Sequence, residues 1–121
     1  MKKILVVDDS ESIREIVSMT LLNGGYDVII GNDGIDALEK IKDIDDLDLV
    51  ITDLHMPNMD GIGLIKELRA SEKFARIPIL FLTTETQTDK KMEAKQAGAT
   101  GWIIKPFVPA KLLMAVKKVI K

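Results

Sequence analysis

Residues 3–9 read Lys3-Ile4-Leu5-Val6-Val7-Asp8-Asp9, and this stretch decides the fold. Four consecutive aliphatic residues, three of them β-branched, leave the segment no polar face. It therefore reads as a strand covered on both sides, as in a parallel sheet, rather than a strand with one face in water. The run stops abruptly on two carboxylates. Three more short apolar runs stop on, or just before, a chemically useful residue. Leu49-Val50-Ile51 leads to Asp53, Ile79-Leu80-Phe81-Leu82 to Thr83, and Trp102-Ile103-Ile104 to Lys105. In an open parallel sheet all strands end at one edge, so these residues converge although they are far apart in sequence.

The segments between the runs have helical periodicity. The reading places strands at Lys3–Asp8, Tyr26–Ile30, Asp48–Thr52, Ile79–Leu82 and Gly101–Ile104. A helix over Glu11–Asn23 puts Ile13, Ile16, Val17, Thr20 and Leu21 on one stripe and is stopped by Gly24-Gly25. A second, Asp33–Lys42, turns Ala37, Leu38 and Ile41 inward. Asp60 suits the N-cap of a third running through Arg69, a fourth covers Asp89–Ala97 up to Gly98, and Pro109 suits the first turn of a fifth. The inner stripe of that last helix is Leu112, Leu113, Val116, Val119 and Ile120. Five βα units with right-handed crossovers predict an α/β, doubly wound, five-stranded parallel sheet with helices on both faces.

The chain has 121 residues, enough for one domain spanning 1–121 and too few for two. Hydrophobic residues make up 46% and charged residues 30%, which fits a water-soluble globular protein. No apolar run nears the ~20 residues that would cross a bilayer. The start, Met1-Lys2-Lys3, reaches Asp8 too soon for a signal peptide, so a cytoplasmic protein without membrane association is expected. The absence of cysteine excludes disulfides, thiolate catalysis and zinc–thiolate sites. Charge is unevenly spread. Residues 1–89 hold nine Lys/Arg against eighteen Asp/Glu, while residues 90–121 hold eight Lys, Lys121 among them, against Glu93. A basic last quarter on an acidic body suits either an acidic partner or a solvated lysine face.

Three carboxylates, a hydroxyl and an ammonium at one sheet edge suit Mg²⁺ and a phosphoryl group, because Mg²⁺ takes one or two carboxylates with waters and phosphate oxygens. Two adjacent aspartates after a strand are by themselves more often helix caps or part of a turn. The order of Asp8-Asp9, Asp53, Thr83 and Lys105 along the chain favours the chemical role.

The motifs that carry this order are Val6-Val7-Asp8-Asp9-Ser10, Ile51-Thr52-Asp53 with Met56-Pro57 and Met59-Asp60-Gly61, Leu82-Thr83-Thr84-Glu85, and Gly101-Trp102-Ile103-Ile104-Lys105-Pro106-Phe107. Together they resemble receiver domains of two-component response regulators, and the last is most similar to chemotaxis regulators of the CheY type. The resemblance covers essentially the whole chain. It implies a flavodoxin-like strand order 2-1-3-4-5 and a cis Lys105-Pro106 bond. Asp53 would be the phosphoacceptor, charged by a histidine kinase. Asp8, Asp9, Asp53 and the His55 backbone carbonyl would hold Mg²⁺, Asp8 through a bound water. Thr83, Thr84 and Lys105 would bind the phosphoryl group, and Trp102 would be the aromatic that turns inward when Thr83 shifts.

The same resemblance gives an output face containing Lys90, Lys91, Lys95, Trp102 and Lys111, suited to a flagellar motor switch protein or a similar acidic peptide. The His55 imidazole and Glu85 would flank the site and tune dephosphorylation, with a phosphatase as a further partner; the plainer reading of His55 uses only its backbone. A chain ending at Lys121 leaves no room for an output domain, so a stand-alone monomeric switch is expected. It would not be an enzyme beyond catalysing its own phosphorylation and dephosphorylation. Two other readings stay open: a phosphate sink or phosphorelay intermediate, and a Mg²⁺-dependent aspartyl-phosphate phosphohydrolase. The second wants another acid two residues past the nucleophile, where this chain has His55. The lysines lack a recognition-helix motif, which argues against nucleic acid.

Overall fold

A computed structural model describes residues 1–120; Lys121, counted above in the basic quarter, lies outside the described residues. The elements follow in strict alternation: β1 (Lys3–Val7), α1 (Glu11–Asn23), β2 (Asp27–Gly31), α2 (Gly34–Ile41), β3 (Leu47–Thr52), α3 (Gly61–Ala70), β4 (Ile79–Thr83), α4 (Thr88–Ala97), β5 (Gly101–Ile104) and α5 (Pro109–Val119). All strand pairs are parallel, in the order β2-β1-β3-β4-β5. This is the doubly wound architecture and the strand order expected above. The Lys105-Pro106 peptide is cis.

The two-residue period of the strands divides the core between the faces of the sheet. Leu5, Val7, Val50, Ile79 and Phe81 point to one face, where α2, α3 and α4 add Ala37, Ile41, Leu64, Ile65, Leu68 and Ala94. Ile4, Val6, Leu49, Ile51, Leu80 and Leu82 point to the other, against Val17 and Leu21 of α1 and Leu112 and Val116 of α5. The three central strands are buried almost throughout. Each fully buried aliphatic contributes on the order of 1.5–3 kcal/mol, so β1, β3 and β4 anchor the sheet edge that follows them.

Two expectations of burial are corrected. Trp102-Ile103-Ile104 reads as buried on both faces, yet β5 is an edge strand and Ile104 is 37% exposed. Ile16, placed on the inner stripe of α1, is 50% exposed. The helix rolls so that Val17 and Leu21 face the sheet, and Ile16 shares its open side with Met19. Strand ends move by one residue: β1 stops at Val7, β2 spans Asp27–Gly31, β3 begins at Leu47 and β4 includes Thr83.

Side chains at the loop ends fix where the helices begin. Ser10, Asp33 and Asp60 cap α1, α2 and α3 by accepting from the amides of Ile13, Asp36 and Gly63. Gly61 opens α3 directly beneath Asp53. A Cβ there would lie 2.4 Å from the Asp53 carbonyl oxygen and 2.5 Å from Phe81 Cε1, so only glycine admits so close an approach.

Candidate functional site

The carboxyl edge of the central strands builds the site through backbone bonds that continue each ladder by one residue. The Asp8 amide donates to the Gly31 carbonyl at 3.2 Å and the Asp53 amide to the Val7 carbonyl at 3.0 Å. The Lys105 amide donates to the Thr83 carbonyl at 2.9 Å. Asp8, Asp53, Thr83 and Lys105 are thereby held by the sheet rather than by mobile loops.

Carboxylate oxygens of Asp8, Asp9 and Asp53 all lie within 4.8 Å of one another. Their surroundings differ. Asp8 is buried; one of its oxygens accepts from the Ser10 amide at 2.9 Å and the other from Lys105 Nζ at 2.7 Å. Asp53 is half-buried. Its Oδ1 accepts from the Leu54 amide at 2.6 Å and the His55 amide at 3.4 Å, and its Oδ2 from Lys105 Nζ at 3.0 Å. Asp9 is exposed. Burial pushes the Asp8 carboxyl above its usual range, against the pull of the Lys105 and Ser10 hydrogen bonds. Burial by itself would lower the Lys105 ammonium, but its hydrogen bonds to Asp8 and Asp53 outweigh that and leave it raised.

Hard carboxylate oxygens of this number and closeness are the donor set that Mg²⁺ prefers, with room for waters on the exposed Asp9 side. Lys105 supplies one fixed positive charge beside the half-buried Asp53. A carboxylate so flanked has part of its charge already balanced, the arrangement suited to meeting an anionic group such as a phosphate.

The remaining sequence-predicted residues form a rim. Thr83 is fully buried, and its hydroxyl accepts from the Glu85 amide at 3.2 Å. Thr84 is exposed and its side chain joins no hydrogen bond among the described residues. The His55 imidazole does more than carry a backbone: Nε2 stands 2.9 Å from Glu85 Oε1. That hydrogen bond, followed by one from the Gln87 amide, holds the Glu85 carboxyl below its usual range. Trp102 lies against the core, its ring 5.2 Å from that of Phe81, and its indole N–H donates to the Glu85 carbonyl at 3.1 Å.

On the outer side of Trp102 lie the predicted output lysines. Lys91 Nζ is 5.8 Å from the Trp102 ring centroid, and with Lys95 it lines a hollow of about 290 Å³. Lys111 lines a neighbouring one of about 390 Å³ with Trp102, Ile104 and Val108. Lys90 instead faces Glu93 at 3.7 Å. A larger hollow, of about 1120 Å³, lies at the opposite edge of the sheet. Two of its three cations are engaged elsewhere: Arg69 on backbone carbonyls, Lys73 on Asp45 and the Lys42 carbonyl. Arg69 is the residue that sequence reasoning missed. Its partners are carbonyls of other segments, which leave no trace in a side-chain pattern.

Residues 4–117 match the family described as response regulator receiver domain. Among curated proteins the chain is 43% identical over 108 residues to chemotaxis protein CheY1 of Helicobacter pylori, covering 88% of this chain and 87% of that one. Among solved structures it is similar to the chemotaxis protein CheY4 of Vibrio cholerae, with a TM-score of 0.95 at 46% identity and 99% of each chain covered. It is also similar to the receiver domain of a sensor histidine kinase from Pseudomonas aeruginosa, with a TM-score of 0.89 at 29% identity. That likeness covers 98% of this chain and 96% of the other, whose structure carries a magnesium ion coordinated in the active site cleft. No helix among the described residues is long and apolar enough to cross a membrane.

Proposed function

The chain belongs to the response regulator receiver domain family, and from that premise we propose that it is a phosphorylation switch in chemotaxis, charged on Asp53 with Mg²⁺ by a histidine kinase. The observation that carries the reading is Lys105, one ammonium within hydrogen-bonding reach of both Asp8 and Asp53. Asp53 would attack the phosphorus of a phosphohistidine, forming an O–P bond as the P–N bond breaks and the imidazole leaves. Asp9, Asp53 and the His55 carbonyl would hold the metal, with Asp8 reaching it through water. Bound there, Mg²⁺ supplies neutralisation of phosphoryl and carboxylate charge. Lys105 orients and neutralises one phosphoryl oxygen, and the Thr83 hydroxyl is placed to exchange its Glu85 amide for another. Thr84, at the mouth, would add a backbone or hydroxyl donor.

Output would follow at the face formed by Trp102, Lys91, Lys95 and Lys111, with Lys90 at its border. Its lysines fit an acidic or amphipathic peptide, and a flagellar motor switch protein is the partner that the chemotaxis relatives suggest. His55 and Glu85 would screen the acyl phosphate from water and so set its lifetime. A single domain acting in the cytoplasm as a monomer completes the proposal.

Incubation with Mg²⁺ and acetyl phosphate or phosphoramidate tests it. Intact mass should rise by one phosphoryl group, Asp53→Asn should abolish the gain, and Trp102 emission should change in step. Sustained release of phosphate from free esters would instead favour a phosphohydrolase. Phosphorylation without any rise in affinity for a lysine-complementary peptide would favour a phosphate sink.

A further inference from the structure

Helix α4 buries only Ala94 among its ten residues, so apolar packing holds it weakly and its two ends decide where it lies. The ends are secured very differently. At the C-terminal end, Arg69 donates to the Gly98 carbonyl from Nε at 3.3 Å and Nη2 at 2.7 Å, while Nη1 reaches the carbonyls of Phe74, Ala75 and Ile77. Arg69 stands on α3, whose five buried residues tie it to the core. A guanidinium on the carbonyl end of a helix is also favoured by the helix dipole. Gly98 has φ +116°, and a Cβ there would stand 2.7 Å from Arg69 Nε, so this end is confined sterically as well.

The N-terminal end has no such anchor. Gln87 offers no side-chain cap. The amides of Thr86 and Gln87 instead donate to Glu85 Oε2, both at 3.2 Å. The other carboxylate oxygen meets His55 Nε2 at 2.9 Å, and the Glu85 carbonyl receives the Trp102 indole. The His55 imidazole is thus the carboxylate's partner outside its own loop. Being 60% exposed, that imidazole can be removed without disturbing packing.

We propose that α4 is a hinged arm, fixed at its C-terminal end by Arg69 on Gly98 and latched at its N-terminal end by His55 on Glu85, so that His55 sets the position of Trp102 even without a phosphoryl group. The output meaning of Trp102 rests on the receiver reading above; the hinge can be tested without any phosphodonor.

The test uses the full chain in Mg²⁺-free buffer, with Trp102 fluorescence and amide hydrogen exchange as readouts. His55→Ala should shift Trp102 emission to the red, raise acrylamide quenching and speed exchange at residues 86–90 severalfold, with residues 94–100 unchanged. His55→Gln, which can still donate to Glu85, should restore the parent behaviour. Arg69→Gln should speed exchange at 94–100 and 74–77. A His55→Ala protein with parental quenching and exchange overturns the latch, and exchange rising equally at both ends of α4 overturns the fixed end. Failure of a phosphodonor to modify Asp53 would sink the receiver chemistry and leave these results standing.

Discussion

Lys105 and Asp8 stand 97 positions apart in the chain and meet at 2.7 Å, with the same ammonium 3.0 Å from Asp53. The site therefore carries its own counter-charge before any cation arrives. The carboxylates are crowded, yet Lys105 already offsets part of their repulsion. Asp53→Ala should therefore gain little stability in metal-free buffer, because Lys105 loses a partner as the repulsion falls.

The first prediction concerns Lys105. Its folded-state value is raised, so its stabilisation is fully present below the ordinary lysine value of 10.5 and is lost as pH rises through the folded one. Urea midpoints of parent and Lys105→Met should differ most near neutrality and converge in strongly alkaline buffer. A gap that stays constant with pH would show that Lys105 contributes packing alone.

Asp8 works in the opposite sense from a typical salt-bridged carboxylate. Because its value is raised, its contribution is favourable below the ordinary 3.8 and is lost as pH rises through the folded value. In chelator at neutral pH the buried charge is thus a net cost. Asp8→Asn should be more stable than the parent there, and the difference should shrink on acidification. Mg²⁺ should stabilise the parent by linkage, about 2.7 kcal/mol at one hundred times its Kd, and Asp8→Asn much less. A parent whose melting ignores millimolar Mg²⁺ would remove the metal from the site.

Much of this was legible in the sequence because the central strands are covered on both faces. Ile4–Val7, Leu49–Ile51 and Ile79–Leu82 leave a continuous apolar signature, and the residue one or two places after each run lands at the shared edge. The edge strand β5 carries the same signature although one flank is open, so the signature overstates its burial. Ile16 falls off the inner stripe because helical periodicity fixes a stripe to within one residue, while packing against β2 and α5 selects the roll. The Glu85 junction was only half visible. Its pairing with His55 could be suspected, but its carbonyl bond to Trp102 involves backbone geometry that no side-chain pattern encodes. Arg69 was invisible for the same reason.

Gly61 is where fold and site touch most closely. Gly61→Ala would drive a Cβ into the Asp53 carbonyl and the Phe81 ring, and overpacking of this kind costs about 1–3 kcal/mol. Gly63→Ala is the control. Its nearest neighbours are Met59 Cγ at 3.2 Å and the capping Asp60 Oδ1 at 3.3 Å, tight contacts with side chains and none with backbone, and alanine's better helix propensity offsets them, so a change within about 1 kcal/mol is expected. Denaturant unfolding of the two proteins measures the difference. Equal stabilities would mean that α3 shifts freely beneath Asp53.

The last prediction follows from Phe81, whose ring edge meets the Gly61 position on one side and Trp102 on the other. Phe81→Leu removes that edge while keeping the site apolar. In a double-mutant cycle it should relieve part of the Gly61→Ala cost, with a coupling of about 0.5–3 kcal/mol for residues in direct contact. Relief should stay partial, because the clash with the Asp53 carbonyl is with backbone and cannot be removed by a side chain. Trp102 emission should shift in Phe81→Leu alone, since the indole loses the tilted aromatic ring packed against it. Strict additivity in the cycle would show that the backbone clash dominates and that Phe81 does not transmit strain between the floor of the carboxylate site and Trp102.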